Sequence, residues 1–330
     1  MRLVVRGRVL GPAVALAILT SASVLGSPAD PWKNSTRYEF EYRVHLAALG
    51  PSELPTALWV PYPTENLDQR LLDVHIDSPW AWRITQESKF NNRMVYAEGL
   101  ASAETPDLVL RVRVERQPSV GLSAGVASAE PSLRPDRFLL PDKLVPLTGM
   151  IREVADQAAQ GHDTQAEKAR ALYDYVYRTM TYNKDGSGWG RGDAVWACTN
   201  KRGNCTDFHS LFIGMLRSQG IPGRFLIGFP IPEGDEGAIG GYHCWAQFYL
   251  LDRGWVPVDV SEAKKKGIAD AYFGALPSDR IEFSAGRDIV LNPPQKGEPL
   301  NYFIYPYVEI DGNPGDTPKV QFRFARLAAP

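Results

Sequence analysis

Between residues 36 and about 117 the apolar residues alternate or run in short lengths, whereas from Thr164 onward they recur three or four positions apart. That change of period limits the chain to a fold in which strands come first and helices later. The segments RYEFEYRVHLAAL, TALWVPYP, RLLDVHID, MVYAEG and LVLRVRVERQ are punctuated by Gly, Pro, Asn and Asp, and they predict an N-terminal β-sandwich domain over residues 30–118. A stretch rich in Ser, Ala, Gly and Pro follows and is expected to be a linker over 119–144. In TQAEKARALYDYVYRTMTY, Ala169, Leu172, Val176 and Met180 share one helical face, with Asp163 or Thr164 as N-cap; a shorter helix is expected over 146–160. RFLIGF, YHCWAQFYLL and WVPVDV read as a strand and a β-hairpin, completing a domain over 145–275. Strand-like runs over 276–330 predict a β-rich extension packed on that core. The fold class is α+β.

The first residues are of another kind. Arg2, Arg6 and Arg8 precede an apolar run over 9–25 and then small residues, the pattern of a secretory signal peptide over 1–29. The mature chain is therefore expected in the periplasm or outside the cell, with no stable membrane insertion after cleavage. Export gives the cysteine count meaning: Cys198, Cys205 and Cys244 are an odd set, so at least one thiol is left over where disulfides form. A formal net charge of -2 and the lack of a basic stripe argue against a broad nucleic-acid surface and favour a small or peptide-like partner.

Cys205 opens the helical stretch GNCTDFHSLFIGMLRSQGIPGR, with Asn204 as N-cap, Asp207 in the first turn and Gly220 and Pro222 as the stop. A helix N-terminus favours a thiolate. Of the five histidines, His45 and His75 belong to the β-rich part and His162 to a loop. His209 lies on the same rigid helix as Cys205 and would leave no room for a substrate. His243 enters a strand after two glycines. Asp259 follows it by 16 residues, an even separation that keeps both on one sheet face if the hairpin carries no odd bulge. Direct pairing of the two would centre the hairpin on Leu251, whereas the best turn residues are 252–254, so an asymmetric loop is implied. On spacing alone a buried cysteine, a core histidine and a strand-ending acid stand open beside a Cys-His-Asp triad. No C-x-x-C, H-x-x-x-H, P-loop or G-x-G-x-x-G motif is present, and no metal or cofactor is expected.

GNCTDFHSLFIGMLRSQGIPGRFLIGF followed by YHCWAQFYLLDRGWVPVDVSEA resembles the core of the transglutaminase-like superfamily. The resemblance runs from about residue 166 to 263, and LWVPYP with LDQRLLDVHI looks like what precedes that core in secreted bacterial members. It implies a papain-like triad of Cys205, His243 and Asp259 and acyl transfer through a thioester. Peptide or amide hydrolysis on a peptide or protein substrate, which could belong to the cell envelope, is the first expectation. Protein-glutamine transamidation comes second, and a catalytically idle peptide-binding or scaffold protein third. The Cys205 amide is expected as one oxyanion donor, with Trp196 or Asn200 as the second. Cys244 is expected on the opposite face from His243, buried, and Cys198 as a buried thiol or a disulfide partner of Cys205.

Overall fold

The computed structural model describes residues 32–49, 53–121 and 134–328. The expected signal peptide and the middle of the expected linker lie outside the described residues. Two five-stranded antiparallel sheets form the β-rich part. One runs Glu236–Ala238, Val320–Leu327, Thr36–Val44, Leu108–Arg116, Gln69–Asp77. The other runs Asn313–Pro314, Tyr307–Ile310, Pro55–Tyr62, Arg93–Leu100, Ala81–Gln86. In Thr36–Val44 the alternation is carried by Tyr38, Phe40, Tyr42 and Val44, all buried.

A third sheet holds Gly254–Val258, His243–Leu250, Gly223–Pro230 and Arg280–Ala285 in that order, all antiparallel. Five helices accompany it: α1 Met150–Ala159, α2 Gln165–Thr179, α3 Ala194–Asn200, α4 Cys205–Ser218 and α5 Val260–Lys266. Ala169, Leu172 and Val176 of α2, and Met180 just after it, are all buried, and Thr164 closes a capping box with Glu167. Every residue of α4 is buried, because the helix packs on the third sheet and against its neighbours α1, α2, α3 and α5.

Strand pairing corrects the expected division of the chain. Residues 276–330 do not form an extension on the core: Arg280–Ala285 is an edge strand of the third sheet, while Tyr307–Ile310 and Val320–Leu327 complete the two N-terminal sheets. The physical reason is edge pairing. Thr36–Val44 would otherwise present a long unpaired edge, and Val320–Leu327 covers it over eight register pairs. The expected linker is also anchored at both ends. Ser119–Val120 pairs with Ala275–Leu276, and Phe138 is fully buried with its ring edge-on to Trp255 at 5.1 Å. The segment PIPEGDEGAIGG contributes Glu236–Ala238 to the edge of the first sheet.

The β-rich part and the third sheet share one core. The Phe40 ring centre lies 5.1 Å from that of Phe229 and 5.3 Å from that of Phe283, so Thr36–Val44 packs directly on Gly223–Pro230, which pairs with the His243 strand, and on Arg280–Ala285 beyond it. Gly228 stands opposite both His243 and Glu282 in the central strand, and a Cβ there would collide with the Ile281 carbonyl. Only glycine lets Arg280–Ala285 approach this closely.

Candidate active site

The start of α4 is fixed by reciprocal capping. The Asn204 side chain accepts from the Thr206 amide at 2.9 Å, and Asp207 reaches back to the Asn204 amide at 2.9 Å. Asp207 is fully buried and also accepts from the amides of Gly190 and Gly192, at 2.7 and 3.0 Å. The glycine-rich loop is thereby tied to the first turn. Burial raises the Asp207 carboxyl above its ordinary value, and the three amides offset this only in part. Gly203, at φ 147°, leaves room for this carboxylate, which a Cβ would strike.

Cys205 is the first residue of α4, and 3% of it is exposed. Its thiol stands beside the His243 ring, near enough that each group shifts the pKa of the other. His243 opens its strand, and its Nε2 meets Asp259 Oδ2 at 2.6 Å, which leaves Nδ1 for the thiol. Asp259 is the N-cap of α5 and is fully buried. Its Oδ1 accepts from Ser261 Oγ at 3.0 Å and from the Glu262 amide at 2.9 Å. The hairpin pairs Leu250 with Gly254 and Ala246 with Val258, so its centre is Asp252 and not Leu251. Continued by one residue, that register sets Asp259 opposite Trp245, diagonal to His243 and on the same face. The three side chains named from the sequence thus meet.

Residues 152–260 match the family model of the transglutaminase-like superfamily, and the match takes in all three. The chain carries a transglutaminase-like core. An uncharacterised protein of Haemophilus influenzae is 26% identical over 349 residues, covering 91% of this chain and 94% of that protein. The uncharacterised protein YebA of Bacillus subtilis is 30% identical over 143 residues, 38% of this chain and 19% of that one. Among solved structures, a candidate cysteine protease of Cytophaga hutchinsonii is similar with a TM-score of 0.59 at 16% identity, covering 90% of this chain and 92% of that one. That likeness bears on the fold alone.

Charges around Cys205, His243 and Asp259 favour an ion pair. Burial opposes the charged form of His243, yet the charge and hydrogen bond of Asp259, with Cys205 beside it, raise the ring from 6.5 to about 10. The Cys205 thiol is held well below its usual value. The neighbouring Cys244 thiol contributes most to the lowering, burial opposes it, and His243 adds to it. Burial also opposes the Asp259 carboxylate, but His243, Arg280 and His209 hold it well below the ordinary range.

Cys244 is buried, as expected, and has a neighbourhood that the sequence does not announce. It lies against the site: its Sγ is 3.6 Å from Thr206 Oγ1 and 3.8 Å from His209 Nδ1, and it stands near enough to Cys205 for the two thiols to shift each other's pKa. Alternation does send successive side chains to opposite faces. His243 and Cys244 nevertheless stand at the end of the strand, where the first turn of α4 reaches both. Replacing Cys244 by alanine removes that neighbouring thiol and is expected to lower the rate of Cys205 alkylation by iodoacetamide at pH 6 about tenfold, the equivalent of one pKa unit. A variant as reactive as the parent would show that Cys244 does not activate the site.

Of the two expected side-chain oxyanion donors, Asn200 is turned to its own helix. Asn200 is exposed, and its Nδ2 donates to the Trp196 carbonyl one turn back. The Trp196 indole packs beside Gly188 with Arg202 over its ring at 5.8 Å. Two partly buried phenols, Tyr182 and Tyr242, stand near the constellation, and Tyr242 Oη lies 3.3 Å from Thr206 Oγ1. His209 is fully buried. Its Nδ1 donates to the Cys205 carbonyl at 2.7 Å, its Nε2 lies 3.5 Å from Asp259 Oδ1, and burial lowers its pKa. It belongs to the back wall of the site. All three cysteines are free, and Cys198 lies beside Lys201 Nζ at 3.7 Å.

Sequence reasoning missed Arg280. It is buried at the head of its strand, with Nη1 donating to Asp259 Oδ2 at 3.0 Å. Its signal was a cation opening the otherwise apolar run RIEFSA.

Proposed function

We propose that the protein is an exported cysteine-dependent acyl-transfer enzyme that hydrolyses peptide or amide bonds through Cys205, His243 and Asp259. One observation carries this reading: His243 is clamped to Asp259 at 2.6 Å through Nε2, which leaves Nδ1 free to serve the Cys205 thiol, buried beside it at a helix start. The Cys205 thiolate attacks the carbonyl carbon of an amide. The negative oxygen that forms faces the Cys205 amide, one of the first-turn N–H groups without an intrahelical acceptor. His243, as imidazolium, passes its proton to the departing amine. The thioester left on Cys205 is then attacked by water, with neutral His243 taking the water proton. Asp259 keeps the ring in the right tautomer and stabilises its charge. Export rests on the N-terminal pattern. Among the described residues no helix is long and apolar enough to cross a membrane.

A small activated ester tests both the nucleophile and the acceptor. Incubation with the p-nitrophenyl ester of an N-acylated glycine, followed by intact-mass spectrometry, is expected to show one acyl group on Cys205 that decays in water. Adding cadaverine should speed that decay by less than about twofold, since water is the proposed acceptor. Acylation of Cys205→Ala at the parent rate would overturn the nucleophile, and dominant transfer to cadaverine would replace hydrolysis by transamidation.

A further inference from the structure

Every member of the triad is buried, yet its reactive form carries two negative charges and one positive. A thiolate on Cys205, an imidazolium on His243 and a carboxylate on Asp259 sum to -1, with relative exposures of 3%, 7% and 0%. An uncompensated buried charge is strongly disfavoured. The compensating charge comes from outside the segment that matches the family model, on the edge strand Arg280–Ala285.

We propose that Arg280 is a positioning residue of this site, a fourth charge that fixes the Asp259 carboxylate against His243 and brings the buried reactive set to neutrality. The inference rests on the acyl-transfer reading above. Arg280 Nη1 donates at 3.0 Å to Oδ2, the same Asp259 oxygen that meets His243 Nε2 at 2.6 Å. The other oxygen is occupied by Ser261 and the Glu262 amide, so the carboxylate is held on both sides and cannot rotate away from the imidazole. The guanidinium lies 5.3 Å from the ring centre of Trp245, the residue opposite Asp259 in the extended register, which confines it from the sheet side.

The surrounding charges do not supply this compensation. Glu262 on α5 is paired with Lys265 and Lys266. His209 on α4 is driven toward its neutral form by burial. Asp279, which receives Arg280 Nη2 at 3.3 Å, is 40% exposed and screened by water. Arg116 and Glu282 lie behind Arg280 and are opposite in sign; Asp68 also faces Arg116. Asp207 is raised by its burial, Tyr272 faces Arg280, and Tyr182 and Tyr242 are neutral phenols. Arg280 is the cation in direct contact with the triad.

The test is the pH profile of Cys205 alkylation by iodoacetamide from pH 5 to 9 in the full chain, with Arg280→Met and Arg280→Lys beside the parent. Loss of the cation should move the rising limb of Arg280→Met to higher pH, cutting the rate at pH 6 at least tenfold. Arg280→Lys, which keeps the charge, should stay within about threefold of the parent. A folded Arg280→Met whose profile superimposes on the parent's would overturn the proposal. So would an Arg280→Lys profile shifted tenfold, which keeps the test decisive even where the methionine variant does not fold. A parent with an ordinary thiol profile would instead sink the acyl-transfer reading on which the proposal stands.

Discussion

Asp259→Ala is expected to lower the unfolding free energy by about 3–5 kcal/mol, the cost of breaking a buried ion pair by removing one partner. The substitution strands two buried cations at once, His243 and Arg280, which now lie 2.6 and 3.0 Å from the carboxylate. It also strips α5 of its N-cap, which by itself is worth about 0.5–2 kcal/mol. These losses share one residue and will not add in full. Urea unfolding at pH 7 checks the value, and a loss below 1 kcal/mol would contradict the buried-hub description. The acid response gives a second readout. Because the folded-state pKa of Asp259 lies well below 3.8, its stabilisation is complete above the unfolded value and is lost as pH falls through the folded one. Asp259→Ala should therefore lack the part of the parent's acid destabilisation that sets in below about pH 4. Asp259→Asn keeps the cap geometry and should lose less stability, while its altered charge still disables the imidazole.

Much of this constellation is local, and so was legible in the sequence. The capping box of Asn204 and Asp207 is a four-residue pattern, and the period of α2 names its own buried face. The even spacing of His243 and Asp259 sets them on one face of a hairpin, because strand geometry fixes side-chain direction. What escaped is long-range. Nothing near Val320–Leu327 announces that it will pair with Thr36–Val44, since pairs such as Arg37 with Leu327 are settled by which sheet edge is left open. Arg280 was missed for the same reason, as its partner lies 21 residues earlier on another element. Nearness in sequence to Cys205 is a poor guide for Asn200, because an amide side chain on a helix can satisfy itself one turn back. Asn200 closes on its own helix in this way.

The second large effect concerns His243→Ala. In the parent the thiol and ring exchange a proton inside a buried site, and the ring keeps its charge up to about pH 10. Thiolate is therefore present far below the free-thiol value of about 8.5. Removing the ring takes away both the cation that stabilises the thiolate and the acid that protonates the leaving amine. Cys244 remains beside the thiol, but the cation left in the site, Arg280, is held on Asp259 and does not replace the imidazolium. General acid-base groups are worth about 10²–10⁴ in rate, and acylation by the p-nitrophenyl ester at pH 6 should fall by that order.

The most direct measurement is the second-order rate of Cys205 alkylation by iodoacetamide between pH 5 and 10, in the parent and in His243→Ala. The parent should show a plateau that begins well below pH 8 and persists until the imidazolium is lost near pH 10. His243→Ala should be slow at pH 6 and rise only toward the pKa of an unassisted thiol, at about 8.5 or above. Two profiles that coincide would contradict the account, because Cys205 would then owe nothing to His243.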